Sequence, residues 1–280
     1  MNKCGICSGT FTKSMYDGIR KCQKCDHVFF DLNLNDEELH KLYGRNYFFG
    51  GEYNNYLKDK KILQKNFKLR MRILQKFLEP ARHKHLLEIG CAYGFFLDIA
   101  KNQFHTTQGI DIAEDGVSYA RTQLKLDAIN ANFTQYNWGN QKFDVVCMWD
   151  TIEHLRDPDI YLEKISNLME KGSLLALTTG DIESLNARIR KKKWRLMHPP
   201  THIHYFSRRT LTKLLDNHGF DVIYNRYCGF YRSIDLIAYR TLMLNKKRPW
   251  LYNILQKSGI ANIGIYSNLY DIMCVVARKR

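Results

Sequence analysis

Residues 86–94 read LLEIGCAYG. A short apolar run meets one acid and then two glycines four positions apart, the pattern of a buried strand that ends in a tight loop and gives way to a helix. Glu88, Gly90 and Gly94 carry its chemistry. A glycine lets backbone approach a ligand closely, and a carboxylate beside it favours an amine-bearing partner over a pyrophosphate. The spacing is ExGxxxG and not the GxGxxG of dinucleotide-binding loops.

After this stretch, strand-like runs recur: its own HLLEIG at 85–90 is followed by TTQGID at 106–111, a weaker DAINAN at 127–132, FDVVCMW at 143–149 and SLLALTT at 173–179. Helical stretches fill the gaps at about 94–103, 113–125 and 158–170. This alternation predicts an α/β fold with right-handed crossovers and a doubly wound, Rossmann-like sheet covered by helices on both faces. Ligands in such folds sit at the carboxyl ends of the strands.

The second strand end places Asp111 21 residues after Gly90. Its two oxygens match the vicinal hydroxyls of a ribose. A nicotinamide dehydrogenase shares that acid, so Glu88 and Asp111 together say more than either alone. At the third end, the Asn132 amide and the Phe133 ring suit an adenine. The fourth end reads MWDTIEHLRDP, 148–158. Asp150 and His154 share a face if the turn is helical, and Glu153 neighbours both. The three can hold an acceptor hydroxyl, relay its proton or bind a divalent cation. Alternatively, Asp150 only caps the turn.

Upstream lie two CxxC pairs, Cys4 with Cys7 and Cys22 with Cys25. Two knuckles at this spacing put four thiolates around one tetrahedral zinc, and an all-cysteine set leaves no open position for metal-assisted chemistry. We therefore expect a structural zinc ribbon. Cys91, Cys147, Cys228 and Cys274 stand singly in apolar contexts and read as small core residues. Residues 35–44, NDEELHKLYG, read as a short helix. The aromatic stretch 47–56 either closes over a ligand or packs between the ribbon and the next helix. From 56 to 79 an approximately helical apolar repeat, ended by Pro80, joins the ribbon to the main domain.

The chain has 280 residues, 45% hydrophobic and 25% charged, enough to bury a substantial core. No stretch reaches the roughly 18 uninterrupted apolar residues of a membrane span. The first residues lack the apolar core of a signal peptide, which predicts a cytoplasmic protein. The net charge of +15 is concentrated: residues 182–250 hold 15 Lys and Arg against 4 Asp and Glu, whereas residues 1–181 hold 24 against 23. That segment is either a solvated basic face or a surface for something anionic.

Within it, HPPTHIHYF at 198–206 should be extended after its prolines, placing His202 and His204 on one side and Ile203 on the other. The cations of 188–195 flank Trp194, a pattern open to RNA contact or to docking of a phosphorylated or lipid-linked acceptor. Residues 229–260 read as an insertion whose apolar run and following Lys246, Lys247, Arg248 and Trp250 suit a membrane-interface helix, a lid over the site or a dimer contact.

LLEIGCAYGFFLDIA, GIDIA, FDVVCMWDTIEHLRDP and HPPTHIHYFSRRTLTKLLDNHGF together resemble a class I S-adenosylmethionine-dependent methyltransferase. In type they are similar to the ubiquinone-biosynthesis O-methyltransferases and the methyltransferases of glycan and secondary-metabolite pathways. The resemblance covers roughly 85–225 and a last strand at 270–279. It implies a seven-stranded sheet, mostly parallel with an antiparallel last strand, and S-adenosylmethionine as cofactor. Glu88, Gly90 and Gly94 then serve the methionine moiety, Asp111 the ribose and Asp150 the methionine end, with Cys91, Ala92, Ile112, Asn132 and Phe133 as further cofactor-binding positions. His202 matches a histidine frequent in the related sequences and ranks above His154 and His204 as the base. Quinone enzymes associate a divalent metal with an acid and a Glu-His pair, which Asp150, Glu153 and His154 match, while relatives with the same pair work without one.

The expected organisation is a zinc ribbon at 1–32, a connector at 33–80 and the methyltransferase domain at 81–280, with an insertion at about 229–265. The expected reaction is O-methylation of a sugar, glycolipid precursor or other small metabolite, the acceptor being anionic or lipid-linked and the protein peripheral to a membrane. The alternatives are an RNA methyltransferase with a zinc module and a non-catalytic relative that binds the same cofactor.

Overall fold

The structure is a computed structural model and describes residues 4–10, 12–31, 56–245 and 248–280. The first cysteine knuckle precedes three short antiparallel strands, β1 (Thr12–Tyr16), β2 (Ile19–Cys22) and β3 (Val28–Phe30), and the second connects β2 to β3. The helix expected over 35–44 and nearly all of the aromatic stretch lie outside the described residues. Tyr56, the last ring of that stretch, stacks on Phe95 with centroids 5.3 Å apart. Helix α1 (Lys60–Leu74) is shorter than the repeat over 56–79 predicts. Beyond Leu74 the backbone tightens into three-residue turns, with the Phe77 N–H donating to the Leu74 carbonyl at 2.9 Å.

The main domain continues as β4 (His85–Ile89), α2 (Phe95–Ala100), β5 (Thr106–Asp111), α3 (Glu114–Leu124), β6 (Asp127–Asn130), β7 (Val145–Trp149), α4 (Pro158–Asn167) and β8 (Leu174–Gly180). After α5 (Leu185–Arg190) come β9 (His204–Tyr205), α6 (Arg208–Asn217) and β10 (Phe220–Tyr227). The insertion holds β11 (Phe230–Ser233), α7 (Ile234–Ala238), a π-helical stretch (Tyr239–Asn245), α8 (Pro249–Lys257) and β12 (Gly264–Ser267), and β13 (Ile272–Lys279) closes the chain.

Seven strands form one sheet in the order β10-β13-β8-β7-β4-β5-β6. β4 pairs in parallel with β5 on one side and β7 on the other, and β13 is antiparallel to both its neighbours. The winding therefore reverses between β4 and β7, which opens a crevice at their carboxyl ends. Strands buried on both faces need apolar residues throughout, and β7 and β8 supply them. Leu86, Val145 and Cys147 pack with α2 and the end of α1, while Leu87, Val146 and Met148 pack with α4 and α6. Each such fully buried leucine is worth about 1.5–3 kcal/mol of burial.

The ribbon is joined to this domain. Cys4, Ile6, Cys22 and Cys25 belong to the same core cluster as Leu211 and Leu214 of α6. Asn217 Nδ2 donates to the Ile6 carbonyl at 3.1 Å, and Arg209 pairs with Asp26 at 2.6 Å. The ribbon sheet is four-stranded, because β9 adds to β3 in antiparallel register, with Val28 opposite Tyr205 and Phe29 opposite His204. In the insertion, β11 and β12 make a two-stranded sheet and α8 buries none of its side chains. Among the described residues no helix is long and apolar enough to cross a membrane.

Candidate active site

A cleft of about 380 Å³ lies at the crevice. Glu88 lies in β4 and Gly90 just beyond it, Asp111 ends β5, Asn132 and Phe133 follow β6, Asp150 follows β7, and the insertion adds Phe230, Tyr231 and Leu236 to the lining.

Glu88 is buried, and its Oε2 finds no partner among the described residues. Burial, and then the nearby Asp111, push its carboxyl well above the ordinary value. Gly90 has φ +78°, and a Cβ there would stand 2.6 Å from Thr151 Oγ1, so glycine is required both by conformation and by the turn packed over it. Cys91 and Ala92 continue the wall. Gly94 does not line the cleft. It caps α2 at φ +72°, where a Cβ would meet Ala120 and Leu126, so that glycine serves helix packing.

Asp111 accepts the Ala92 N–H at 2.7 Å on Oδ2 and the Ala113 N–H at 2.8 Å on Oδ1. These bonds fix the carboxylate plane and leave each oxygen a second lone pair. Ile112 lies beside it in the lining. Asn132 Oδ1 accepts from the backbone and hydroxyl of Thr134, which shapes the turn, and Phe133 stacks on Tyr161 with centroids 5.5 Å apart.

Asp150 sits at φ +50° with both oxygens engaged: Oδ1 accepts the Thr178 hydroxyl at 2.7 Å, and Oδ2 accepts Arg70 Nη2 at 2.5 Å. Burial opposes its charge, but the Arg70 guanidinium and the Thr178 hydroxyl hold the carboxyl below its ordinary value. Arg70 is buried on α1 against the rings of Phe67 and Trp149. Sequence reasoning misses it by treating α1 as a connector. The available signal is its place in the apolar stripe Phe67, Met71 and Leu74, where a cation is out of pattern.

Donor atoms of Glu153, His154 and His202 lie within 4.8 Å of one another, and the two imidazoles meet edge to face with centroids 4.6 Å apart. Of the acid and Glu-His trio named from the resemblance, Asp150 is thus turned to Arg70, and His202 completes the group. Burial and the charge of Asp150 raise the Glu153 carboxyl to about 8. His202 Nδ1 is 2.9 Å from the Leu196 carbonyl, which only accepts, so Nδ1 carries the hydrogen and Nε2 keeps a lone pair. Burial, and then the neighbouring His154, hold this imidazole well below its ordinary value, so it is neutral near pH 7.

His202 and His204 do not share one surface as the extended reading of 198–206 expects. The His202 N–H turns back to the His198 carbonyl, so extension starts only at β9, and His204 points into the ribbon interface at His27. Trp194 is also buried, its Nε1 donating to Asp271 at 2.9 Å, and its ring is not offered for stacking on a base. Its neighbour Arg195 pairs with the same carboxylate at 2.8 Å and lines the cleft. At the other end of the chain, Cys4 and Cys25 sulfurs are 3.5 Å apart and Cys7 and Cys22 3.6 Å, all four within 4.8 Å of one another.

A family model described as a methyltransferase domain matches residues 57–225. A ubiquinone biosynthesis O-methyltransferase of Pelagibacter ubique is 24% identical over 165 residues, 58% of this chain and 63% of that protein. Its counterpart in Sinorhizobium fredii is 23% identical over 106 residues, 36% of this chain and 43% of that protein. The chain thus spans less than two thirds of the length of these curated relatives. Among solved structures, magnesium protoporphyrin IX methyltransferase of Synechocystis, with bound SAH, superposes with a TM-score of 0.54 at 13% identity, covering 86% of this chain and 99% of that one. A putative methyltransferase of Bacillus halodurans gives 0.55 at 13% identity over 77% and 99%. At these identities the likeness to solved structures is one of fold.

Proposed function

The chain belongs to the methyltransferase-domain family, and from that premise we propose that it moves a methyl group from S-adenosylmethionine to a hydroxyl of a sugar, glycolipid precursor or other small metabolite. The observation that carries this reading is a neutral His202, with Nε2 free to accept a proton, lining the same cleft as Glu88 and Asp111.

The residues present fit the cofactor. The unpartnered Glu88 Oε2 is a buried acceptor in need of a donor, which an ammonium supplies. Asp111 offers two oriented oxygens to a ribose diol, and Asn132 and Phe133 border the cleft where the adenine would lie, with the Phe133 ring itself packed on Tyr161. Arg70 supplies a cation for a carboxylate, with Asp150 fixing its direction. When bound, the sulfonium supplies an already activated methyl group. What remains for the chain is to align the acceptor, exclude water and take a proton. Phe230, Leu236 and Ile272 give the acceptor side apolar walls, and His202 Nε2 takes the hydroxyl proton. Arg195, Arg232 and Arg240 also line that side, which supports an anionic acceptor.

The four cysteines fit one tetrahedral zinc, so residues 1–32 act as a ribbon whose metal is structural. The test is to incubate metabolite extracts with the protein and a methyl-deuterated cofactor. A metabolite that gains one labelled methyl group supports the reading, and cofactor binding without any labelled product favours the non-catalytic alternative.

A further inference from the structure

The proton-accepting side of the cleft is built from two irregular segments, the turn 150–157 after β7 and the chain 195–203 before β9. Neither is held by a helix or sheet of its own beyond one short 3-10 turn at Ile152–His154. Two hydrogen bonds join them, the Ile203 N–H to the Glu153 carbonyl at 2.8 Å and His154 Nδ1 to the Thr201 carbonyl at 2.8 Å, and from β9 itself His204 Nε2 donates to the Arg156 carbonyl at 3.1 Å. The ribbon then grips the second segment. The Phe30 N–H donates to the Ile203 carbonyl at 2.7 Å, and His27 Nε2 meets His204 Nδ1 at 2.9 Å.

The polarity of that last contact is set by its neighbours. The Arg156 carbonyl only accepts, so His204 Nε2 carries a hydrogen and Nδ1 is a lone-pair acceptor; His27 Nε2–H must therefore be the donor. Both imidazoles are buried, and Phe206 packs against both, with centroids 5.2 Å from His27 and 5.7 Å from His204. Two buried imidazoles cost desolvation that an apolar pair would avoid. What they provide is direction: each ring has one orientation in which its hydrogen bond is made.

We propose that His27 and His204 are positioning residues, through which the ribbon holds His202, Glu153 and His154 in their mutual arrangement. The ribbon is then a working part of the acceptor side and not an appendage. His27 fixes His204, His204 fixes the Arg156 carbonyl, and the β9 pairing fixes Ile203 beside His202. This rests on the methyltransferase reading for its meaning, but its geometry can be tested without an acceptor.

The experiment uses the full-length zinc-loaded protein with 15N-labelled histidine and reads the imidazole tautomers and shifts by NMR. In the wild type, His27 and His204 should both show hydrogen on Nε2. His27→Leu should displace the His202 and His154 signals while zinc content and affinity for S-adenosylhomocysteine stay unchanged. His27→Gln, whose amide reaches as far as Nε2 and donates likewise, should restore both signals. Unmoved His202 and His154 signals in His27→Leu would overturn the proposal, as would failure of His27→Gln to restore them. Should His27→Leu not fold, the wild-type spectrum decides: hydrogen on His204 Nδ1 contradicts the relay. Failure of the wild type to bind S-adenosylhomocysteine would instead sink the methyltransferase reading and leave the relay standing.

Discussion

Arg70 on α1 and Asp150 after β7 meet with Nη2 2.5 Å from Oδ2, tying a helix that precedes the Rossmann-like sheet to the floor of its crevice. Arg70 is buried and Asp150 partly exposed, so Asp150 neutralises the guanidinium and fixes its direction at the edge of the cleft. Arg70→Met keeps an unbranched apolar stem at this position and deletes the guanidinium with its charge. We expect its affinity for S-adenosylhomocysteine to fall by about tenfold, equivalent to about 1.4 kcal/mol, as read by calorimetry. Unchanged affinity would confine Arg70 to a structural role.

The cysteine quartet predicts about one zinc per chain by metal analysis, and none in a Cys7→Ser, Cys22→Ser variant. Because Cys4, Ile6 and Cys25 share a core cluster with α6, metal loss should lower the melting temperature of the whole chain. A destabilisation of 2 kcal/mol corresponds to roughly 4–8 °C for a protein of this size. Zinc retained by the variant would exclude the ribbon assignment.

Glu153 sets a pH dependence. Its folded carboxyl is raised to about 8 from 4.5, so the folded state holds a proton that the unfolded chain releases. Stability should therefore fall as pH rises from 4.5 towards 8, by up to about 1.4 kcal/mol per pH unit from this group. Glu153→Gln removes the titration, and denaturation midpoints measured across that window should then lose this slope. A slope equal to that of the wild type would contradict the assignment.

His202→Ala should lower turnover on an identified acceptor by about 10²–10⁴-fold, the usual worth of a general base, with cofactor affinity unchanged. An unchanged rate would remove it as the proton acceptor.

Much of the fold and site is legible in the sequence because the signals are local. The apolar runs of β7 and β8 are continuous, since both faces are buried, and Glu88 and Asp111 stand out as acids towards the ends of β4 and β5. The two CxxC pairs declare themselves by spacing. Arg70 is hidden in a stripe whose repeat is only approximately helical, and burial of a cation there is decided by Asp150, 80 residues away. β9 falls in the run 198–206 read as extended, but its place as a strand of the ribbon sheet is set by pairing with β3, which is distant in sequence. Alternation misplaces His202 because a turn through the His198 carbonyl ends the extended chain before it. Trp194 looks exposed among its lysines, and Asp271, contributed from the far end of the chain, draws it inward.

Calorimetric titration with S-adenosylhomocysteine reads out whether Glu88 and Asp111 hold S-adenosylmethionine. Wild-type protein should bind one equivalent, and Asp111→Asn and Glu88→Gln should each weaken binding by about 10–100-fold, as expected for losing a hydrogen bond to a charged group worth about 1.5–3 kcal/mol. No binding by the wild type, or equal affinity in Asp111→Asn and Glu88→Gln, would contradict the account.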